Sequence, residues 1–433
     1  MQDHTRTFVE RFAKRSNGPN TLEDFQAIEV FPWTQPKDVE WNLPLSKSHL
    51  IRWLLMTSQG PENETFKIVG VKHPGEDVMT MRHALSKLGV DIIDSHNSWI
   101  VKGVGSNGFK NPHEVIDCAN SGTAMRLLTV AVARIGEPIV LDGDESLRKR
   151  GHHEYWQELR KIGIDVQSNI ENQSLPIVVT GPANSGKISL DVSKTSQHIS
   201  ALLLSMPALD GTLSVQKVGE LVSRRHAELS FGIAKLCGSI NAIDDCTLRH
   251  FYCSPPSEIQ VPPDTSHVAF AKLFEIVHGV TTTLPEIDAK DGIGSEILFD
   301  LDLSIYNKVD LRDANDLISP LSAAMAIGGG GTIYGASHAQ YKESPRISST
   351  VKLLASFGLK ATMREDGLEI SGGQEPLRPP QLVPTYGDHR MQMTAVILAT
   401  KTGGIIEGSN LHLVSDPEFL ENLAHHGIKI QVC

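Results

Sequence analysis

The sequence predicts a duplicated α/β fold of two to three domains. Three observations predict it: a length of 433 residues, a glycine-closed helix tail that recurs along the chain, and a polar-headed apolar helix that occurs six times. The tails are HALSKLGVDI through Gly89, LRKIGIDV through Gly163, IAKLCGSI through Gly238, VKLLASFGLKA through Gly358 and NLAHHGIKI through Gly427. Each glycine is expected to take the left-handed conformation that ends a helix, with a short strand after it. The wider gap between Gly238 and Gly358 leaves room for one more copy, and the degenerate GIGSEILFDLDL from Gly292 is its candidate.

The polar-headed helices read SKSHLIRWLLM, NSGTAMRLLTVAVA, KTSQHISALLLSM, DTSHVAFAKLFEIV, NDLISPLSAAMAI and GDHRMQMTAVILA. Ser, Thr, Asp and Asn at these heads are N-cap residues, and the apolar bodies predict helices that are mostly buried. Capping alone accounts for the hydroxyls and carboxylates but not for the cations. Lys47, Arg52, Arg126 and Arg390 fall within the first two turns, where the helix macrodipole disfavours positive charge unless an anion joins it. A helix N-terminus with Lys or Arg beside it is an anion site.

Composition excludes several classes of function. With 40 Lys+Arg against 51 Asp+Glu the net charge is −11, and no basic run marks a nucleic-acid or membrane footprint, so neither partner is expected. Cys118, Cys237, Cys246, Cys253 and Cys433 are odd in number and lack zinc-site spacing, which predicts free thiols and a cytoplasmic protein. The uncharged stretch Leu317 to Tyr341 is broken by Pro320 and Gly328 to Gly331, too interrupted for a membrane helix. Near the N-terminus, Phe8, Val9, Phe12 and Ala13 at helical spacing within Thr5 to Arg15 predict a surface helix, in an extension of residues 1–25. The histidine pairs at 152–153 and 425–426 are read as surface residues, since neighbouring side chains on a helix diverge by about 100° and one ion rarely uses both.

Taken in order, LPLSKSHLIR, NSGTAMR, KTSQ, YKESPRI and YGDHRMQM resemble the motifs of the 5-enolpyruvylshikimate-3-phosphate synthase family, over residues 28 to 430. The resemblance implies a two-domain inverted α/β barrel of six βαβαββ units, three per domain, joined by a double-stranded hinge, with helix N-termini directed at the cleft between the domains. It assigns residues 46–263 to one domain and 26–45 plus 264–433 to the other. The implied reaction moves the enolpyruvyl group of phosphoenolpyruvate to the 5-hydroxyl of shikimate 3-phosphate by addition and elimination, releasing phosphate on the way to chorismate and the aromatic amino acids. It requires no metal and no organic cofactor. The implied partners are these two small molecules, and the chain is expected to act as a monomer.

Carried over by position, the resemblance implies that Lys47 touches phosphoenolpyruvate, while Ser48 and Arg52, one turn apart on one helix face, hold shikimate. Gly122 resembles the glycine that lets phosphoenolpyruvate approach the backbone, and Arg150 of LRKR the arginine that grips its phosphate. Thr195, Ser196, Gln197 and Ser223 are similar to the set around the 3-phosphate and ring of shikimate. Asp316 of NDLISP, with Lys342 and Glu343 of YKESPR, resembles the proton-transfer groups, and Arg346 and Arg390 the clamp on the donor carboxylate. Read alone, each has a structural alternative: a Ser, Thr or Asp at a helix head is a cap, and Lys342–Glu343 a solvated pair.

Several positions depart from the family pattern. Val414, in LHLVSDPEFLENL, stands where the last donor-binding lysine is expected; Pro345 replaces an aspartate, His226 a tyrosine, and Leu127 and Gly151 prolines. These departures leave open a homologue that binds phosphorylated ligands without turning them over. The sister transferase acting on UDP-N-acetylglucosamine is a weaker alternative, because its cysteine is missing from the loop LDGDESLRKRG.

Overall fold

The computed structural model describes residues 27–151, 153–168 and 174–433. The N-terminal extension with its expected surface helix, and His152, lie outside the described residues. Twelve α-helices occur among those described: α1 Lys47–Ser58, α2 Glu76–Lys87, α3 Gly122–Ala131, α4 Glu145–Lys149, α5 His153–Arg160, α6 Gln197–Ser205, α7 Arg224–Leu236, α8 Val268–His278, α9 Ile318–Ile327, α10 Arg346–Ser356, α11 His389–Thr402 and α12 Phe419–His425.

All six polar-headed segments form helices, namely α1, α3, α6, α8, α9 and α11. They have no solvent face to speak of: α1 is buried from His49 to Ser58 and α11 from His389 to Thr400. Helices that are apolar all round are interior elements, so their polar ends are what they present for chemistry. The five glycines that close the tails all have left-handed φ, +90° at Gly89, +86° at Gly163, +102° at Gly238, +74° at Gly358 and +90° at Gly427.

The sixth tail differs. Around Gly292 the chain forms only the short 3-10 turns Ala289–Asp291 and Ser295–Leu298, with left-handed φ at Ile293 and Gly294, and no α-helix. Two glycines within GIGSE deprive that segment of the continuous apolar face a helix needs.

Six sheets occur among the described residues, and three of them share one pattern. In the sheet ordered Glu258–Gln260, Thr65–Val69, Ser98–Lys102, Ile92–Ser95, the first pair is parallel and the next two antiparallel. The same parallel–antiparallel–antiparallel sequence recurs in Ile116–Asp117, Ile139–Asp142, Ile177–Thr180, Asp165–Gln167, and in Asn307–Asp310, Gly331–Tyr334, Gly367–Ile370, Ala361–Arg364. In two of the parallel pairs a helix crosses between the strands, α3 between Ile116–Asp117 and Ile139–Asp142 and α9 between Asn307–Asp310 and Gly331–Tyr334, while two-residue turns join Ile92–Ser95 to Ser98–Lys102 and Ala361–Arg364 to Gly367–Ile370.

The chain divides into two compact units. The described part of the first is Lys47–Lys72 and Glu76–Val261; the second runs up to Ser46 and takes in His73–Gly75 and Pro262–Cys433. The two connecting strands pair with each other, through an antiparallel bridge between Leu45 and Pro263 and backbone bonds Ser46 N to Pro262 O (3.0 Å) and Asp264 N to Pro44 O (2.7 Å). In the second unit the core is knit around Phe274, whose ring lies 5.4 Å from Trp33 and 5.2 Å from Trp41. All five cysteines are free, with Cys118, Cys237 and Cys253 buried. Among the described residues no helix is long and apolar enough to cross a membrane.

Candidate active site

In the first unit the heads of α1, α3, α6 and α7 carry the polar groups. Arg52 is 1% exposed and is held by neutral partners: Nε donates to Ser230 Oγ (2.7 Å), Nη1 to Ser48 O (2.8 Å) and Nη2 to His226 O (3.3 Å). Burial alone pulls its pKa down to about 10. A guanidinium this deeply buried beside neutral oxygens is electrostatically ready for an anion. Lys47, by contrast, already has a carboxylate, Asp77 at 2.9 Å, supplied by the first turn of α2.

Gly122 opens α3, capped by Ser121, whose hydroxyl accepts from Ala124 N. A Cβ built on Gly122 would lie 2.7 Å from Arg126 Nη1 and 3.1 Å from Arg150 Nη1. Two guanidiniums therefore converge on a backbone position where only glycine leaves them room. Arg126 Nη1 also donates to Gln197 Oε1 (2.6 Å), and Gln197 Nε2 donates to Thr123 Oγ1 (2.9 Å), so the head of α6 is tied to that of α3. Arg150 is anchored by Asn120 Oδ1 (2.7 Å) and Ser146 Oγ (3.3 Å).

At the head of α6, Thr195 Oγ1 caps Gln197 N (3.1 Å), while Ser196 Oγ is buried without a hydrogen-bond partner among the described residues. Ser223, which caps α7, is buried in left-handed backbone, φ 51° and ψ 41°. A non-glycine residue held there stores local strain, which is typical of ligand-contacting positions.

In the second unit a buried centre forms around Arg346. Arg346, the first residue of α10 and 2% exposed, donates through Nη1 to Asp316, through Nη2 to Glu343 (2.7 Å) and through Nε to Asp388 (2.9 Å). Burial opposes its charge, but the three carboxylates, Asp388 first, raise its pKa well above the ordinary value. Asp388 is 0% exposed and also caps α11 by accepting from Arg390 N (2.9 Å). Ser344 donates to it at 2.9 Å. Pro345, the N-cap of α10, places Arg346 at its first turn.

Arg390 reaches Asp316 Oδ2 at 3.8 Å and donates to Ser266 Oγ at 2.8 Å; Nε and Nη1 are buried without hydrogen-bond partners among the described residues. Lys342 is half-buried next to Glu343 in the chain. His338 is held by Asn315 Nδ2 at 2.9 Å, and burial, then Lys342, push its imidazole down to about 3, so it is neutral. The structure thus gathers Asp316, Glu343 and Asp388 around Arg346, with Arg390 reaching Asp316. In the other unit it places Lys47, Ser48, Arg52, Gly122, Arg150, Thr195, Ser196, Gln197 and Ser223 at or beside helix starts.

Val414 ends the 3-10 turn Leu411–Val414. Neither His412 nor Lys401 replaces it. His412 is buried on Gln392 and held down to about 4 by burial, while Lys401 is exposed in the last turn of α11, the opposite end from Arg390. Sequence reasoning passed over Asp388, Asp77, Ser266 and His338. Asp388 and Ser266 were visible only as polar residues in the heads GDHR and DTSH. Nothing local marks Asp77 as the partner of Lys47.

Comparison with known proteins places these groups in context. A family model described as EPSP synthase (3-phosphoshikimate 1-carboxyvinyltransferase) matches residues 38–292 and 303–423. The unmatched interval falls where the sixth helix tail is missing. A 3-phosphoshikimate 1-carboxyvinyltransferase of Halobacterium salinarum is 29% identical over 416 residues, covering 89% of this chain and 95% of that protein. The same-named protein of Methanothrix thermoacetophila is 28% identical over 413 residues, covering 90% and 96%. Among solved structures, an EPSP synthase from Acinetobacter baumannii is similar with a TM-score of 0.74 at 23% identity, over 94% of this chain and 100% of that one. The enolpyruvyl transferase NikO from Streptomyces tendae follows with a TM-score of 0.70 at 12% identity, over 94% and 99%. The structural likenesses show a shared two-domain α/β fold.

Two outcomes test this geometry. Gly122→Ala should force apart the Arg126 and Arg150 guanidiniums and weaken binding of a phosphate-bearing ligand about tenfold or more, measured by calorimetry, with little effect on folding. His338 has its pKa lowered to about 3 in the folded state against the ordinary histidine value of 6.5, so the unfolded chain binds more protons between these values. Its contribution to stability is complete above pH about 6.5 and declines as the pH falls toward about 3. Urea unfolding at pH 7 and pH 5 should therefore show a larger acid loss in the native protein than in His338→Gln; equal losses would contradict it.

Proposed function

The chain belongs to the EPSP synthase family, and we propose that it transfers the enolpyruvyl group of phosphoenolpyruvate to the 5-hydroxyl of shikimate 3-phosphate, releasing phosphate. The observation that carries the reading at the level of residues is the Arg346 centre, where one buried guanidinium holds Asp316 and Glu343 in reserve. The five free thiols support a reducing, cytoplasmic setting.

In this reading Arg52, Ser48, Thr195, Ser196, Gln197 and Ser223 bind the shikimate phosphate, and Lys47, Gly122, Arg126, Arg150, Arg346 and Arg390 bind the donor. Asp316 takes the proton of the 5-hydroxyl as its oxygen bonds to the central carbon of the donor. The Lys342–Glu343 pair delivers a proton to the methylene carbon. Elimination reverses the second transfer: a methyl proton returns to that pair as the carbon–oxygen bond to phosphate breaks. Preorganised cations carry the charge that develops on the leaving phosphate.

The carboxylates must first be freed. While Arg346 is bonded to Asp316 and Glu343, one oxygen of each is committed to its N–H groups. A donor carboxylate competing for Arg346 in bidentate fashion would release them at the moment the substrate arrives. Val414 supports a second reading, a protein that binds these phosphorylated ligands but turns them over poorly, since a cation expected at the donor is replaced by an aliphatic side chain.

The primary test is phosphate release with both substrates together against each alone. Release only with both is expected, and none at any protein concentration would favour the second reading. Asp316→Asn and Glu343→Gln should lower kcat by about a hundredfold or more while changing substrate affinity far less, because the amides keep shape and lose proton transfer. Near-normal kcat in both would make these carboxylates structural. Val414→Lys should tighten donor binding about 10- to 150-fold, the equivalent of one charge-assisted hydrogen bond of about 1.5–3 kcal/mol, and strengthen inhibition by glyphosate. Unchanged affinity for both would mean that another group already fills the role.

A further inference from the structure

In the first unit, Arg52 on α1 is joined to the head of α6 by a chain of buried hydroxyls. Its Nε donates to Ser230 Oγ on α7 (2.7 Å), Ser230 donates to Ser200 Oγ on α6 (2.8 Å), and Ser200 donates to Ser196 O (3.1 Å), the carbonyl of the α6 N-cap. Arg52 and Ser196 are 1% exposed and the two serines between them 0%, so these bonds are out of reach of bulk water. The three helices pack on one another.

The direction of the chain is set by chemistry. A guanidinium can only donate, so Ser230 Oγ must accept from it, and the single Ser230 proton goes to Ser200 Oγ or to His226 O, which is farther away at 3.1 Å. His226 O already accepts from Arg52 Nη2. A buried serine in a helix commonly bonds the carbonyl one turn behind it, and Ser200, taken alone, does no more than that. Ser230 does more, since it meets an arginine from one helix and a serine from another. Successive donors polarise one another, so loss of the last link weakens the first.

The consequence falls on the guanidinium. Ser230 takes its Nε–H, Ser48 O one N–H of Nη1 and His226 O one of Nη2, which leaves one N–H on each terminal nitrogen for an anion. Three bonds fix the plane of the group, and of their acceptors only Ser230 Oγ belongs to a side chain. We propose that Ser230 and Ser200 are positioning residues for the anion bound at Arg52, holding the guanidinium in register with the α6 head that carries Thr195, Ser196 and Gln197. The proposal deepens the reading of Arg52 as a shikimate 3-phosphate contact and rests on it for the identity of the anion. A ligand that meets both Arg52 and the α6 head is sensitive to their relative placement, because groups held off their productive geometry lose binding.

Shikimate 3-phosphate is the probe, titrated calorimetrically into the full chain. Ser230→Ala should weaken its binding about tenfold or more, and Ser200→Ala, which acts only through Ser230, about threefold or more. Ser58→Ala is the control: it removes a 0% exposed hydroxyl of α1 that bonds Leu55 O (2.8 Å), and affinity should stay within about twofold although stability falls. In turnover, KM for shikimate 3-phosphate should rise in Ser230→Ala while KM for phosphoenolpyruvate stays within about twofold. In the ligand-free protein, exchange of the Arg52 Nε proton, followed by NMR, should quicken about threefold or more in Ser200→Ala. That readout needs no substrate, so it judges the relay even where the native chain binds no shikimate 3-phosphate, a result that would overturn the reading of function instead. Native affinity in Ser230→Ala, an equal loss in Ser58→Ala, or unchanged Nε exchange in Ser200→Ala would each overturn the proposal.

Discussion

The second unit depends on the sharing of one buried guanidinium by three carboxylates. Arg346 is 2% exposed, and a charge placed there without partners would be prohibitively costly. Asp388, Glu343 and Asp316 remove that cost from three directions, and each belongs to a different stretch of chain. Asp388 starts α11, Asp316 precedes α9, and Glu343 lies just ahead of α10, so the same ion network that stabilises the charge fixes the relative placement of three helix starts. With Lys342 and Arg390 nearby, the carboxylates and cations of this region balance in number. A balanced cluster can be buried before a substrate is present, and it can be reopened by an anion that competes for the arginine.

The first unit solves a similar problem in the opposite way. Arg52 has neutral partners and a pKa drawn down to about 10, and the guanidiniums of Arg126 and Arg150 converge on the backbone at Gly122. Buried apolar helices make this arrangement possible: with every side of α1 and α3 committed to the core, the only polar surface left is the N-terminal turn with its unpaired N–H groups. Cations near those turns lower stability by themselves and gain it back when an anion binds. One unit is thus charge-balanced without ligand, while the other leaves a deeply buried guanidinium among neutral oxygens.

How much of this was legible in the sequence follows from the range of the interactions. The six buried helices and the five glycine caps were readable because they rest on local periodicity and on the φ requirement at a single residue. The missing helix near Gly292 was not, because the repeat argument supplied a copy where the residues themselves lacked helix propensity. Asp388 was readable as a cap but not as the partner of a side chain 42 positions earlier, and Asp77 gave no sign of its pairing with Lys47 across 30 residues. Such pairings arise only once the topology has brought two helix starts together.

The segment after α11 shows how a substitution can change the task of its neighbours. Where the resemblance implies a donor-binding lysine, the chain has Val414, and two residues on, the buried carboxylate of Asp416 approaches His267 Nδ1 at 3.6 Å. His267 follows Ser266, whose hydroxyl takes Arg390 Nη2, and Asp264 fixes Ser266 in turn by accepting from its Oγ at 2.5 Å. The segment therefore braces the turn that holds Arg390 and adds no cation of its own. Under the proposed function, attraction for a donor anion in the second unit then rests on Lys342, Arg390 and Arg346, and Arg346 becomes available only as its bonds to carboxylates are given up. On the proposed assignment, donor binding and the release of Asp316 and Glu343 are one event: with fewer cations to spare, the anion must draw on the arginine that restrains both carboxylates.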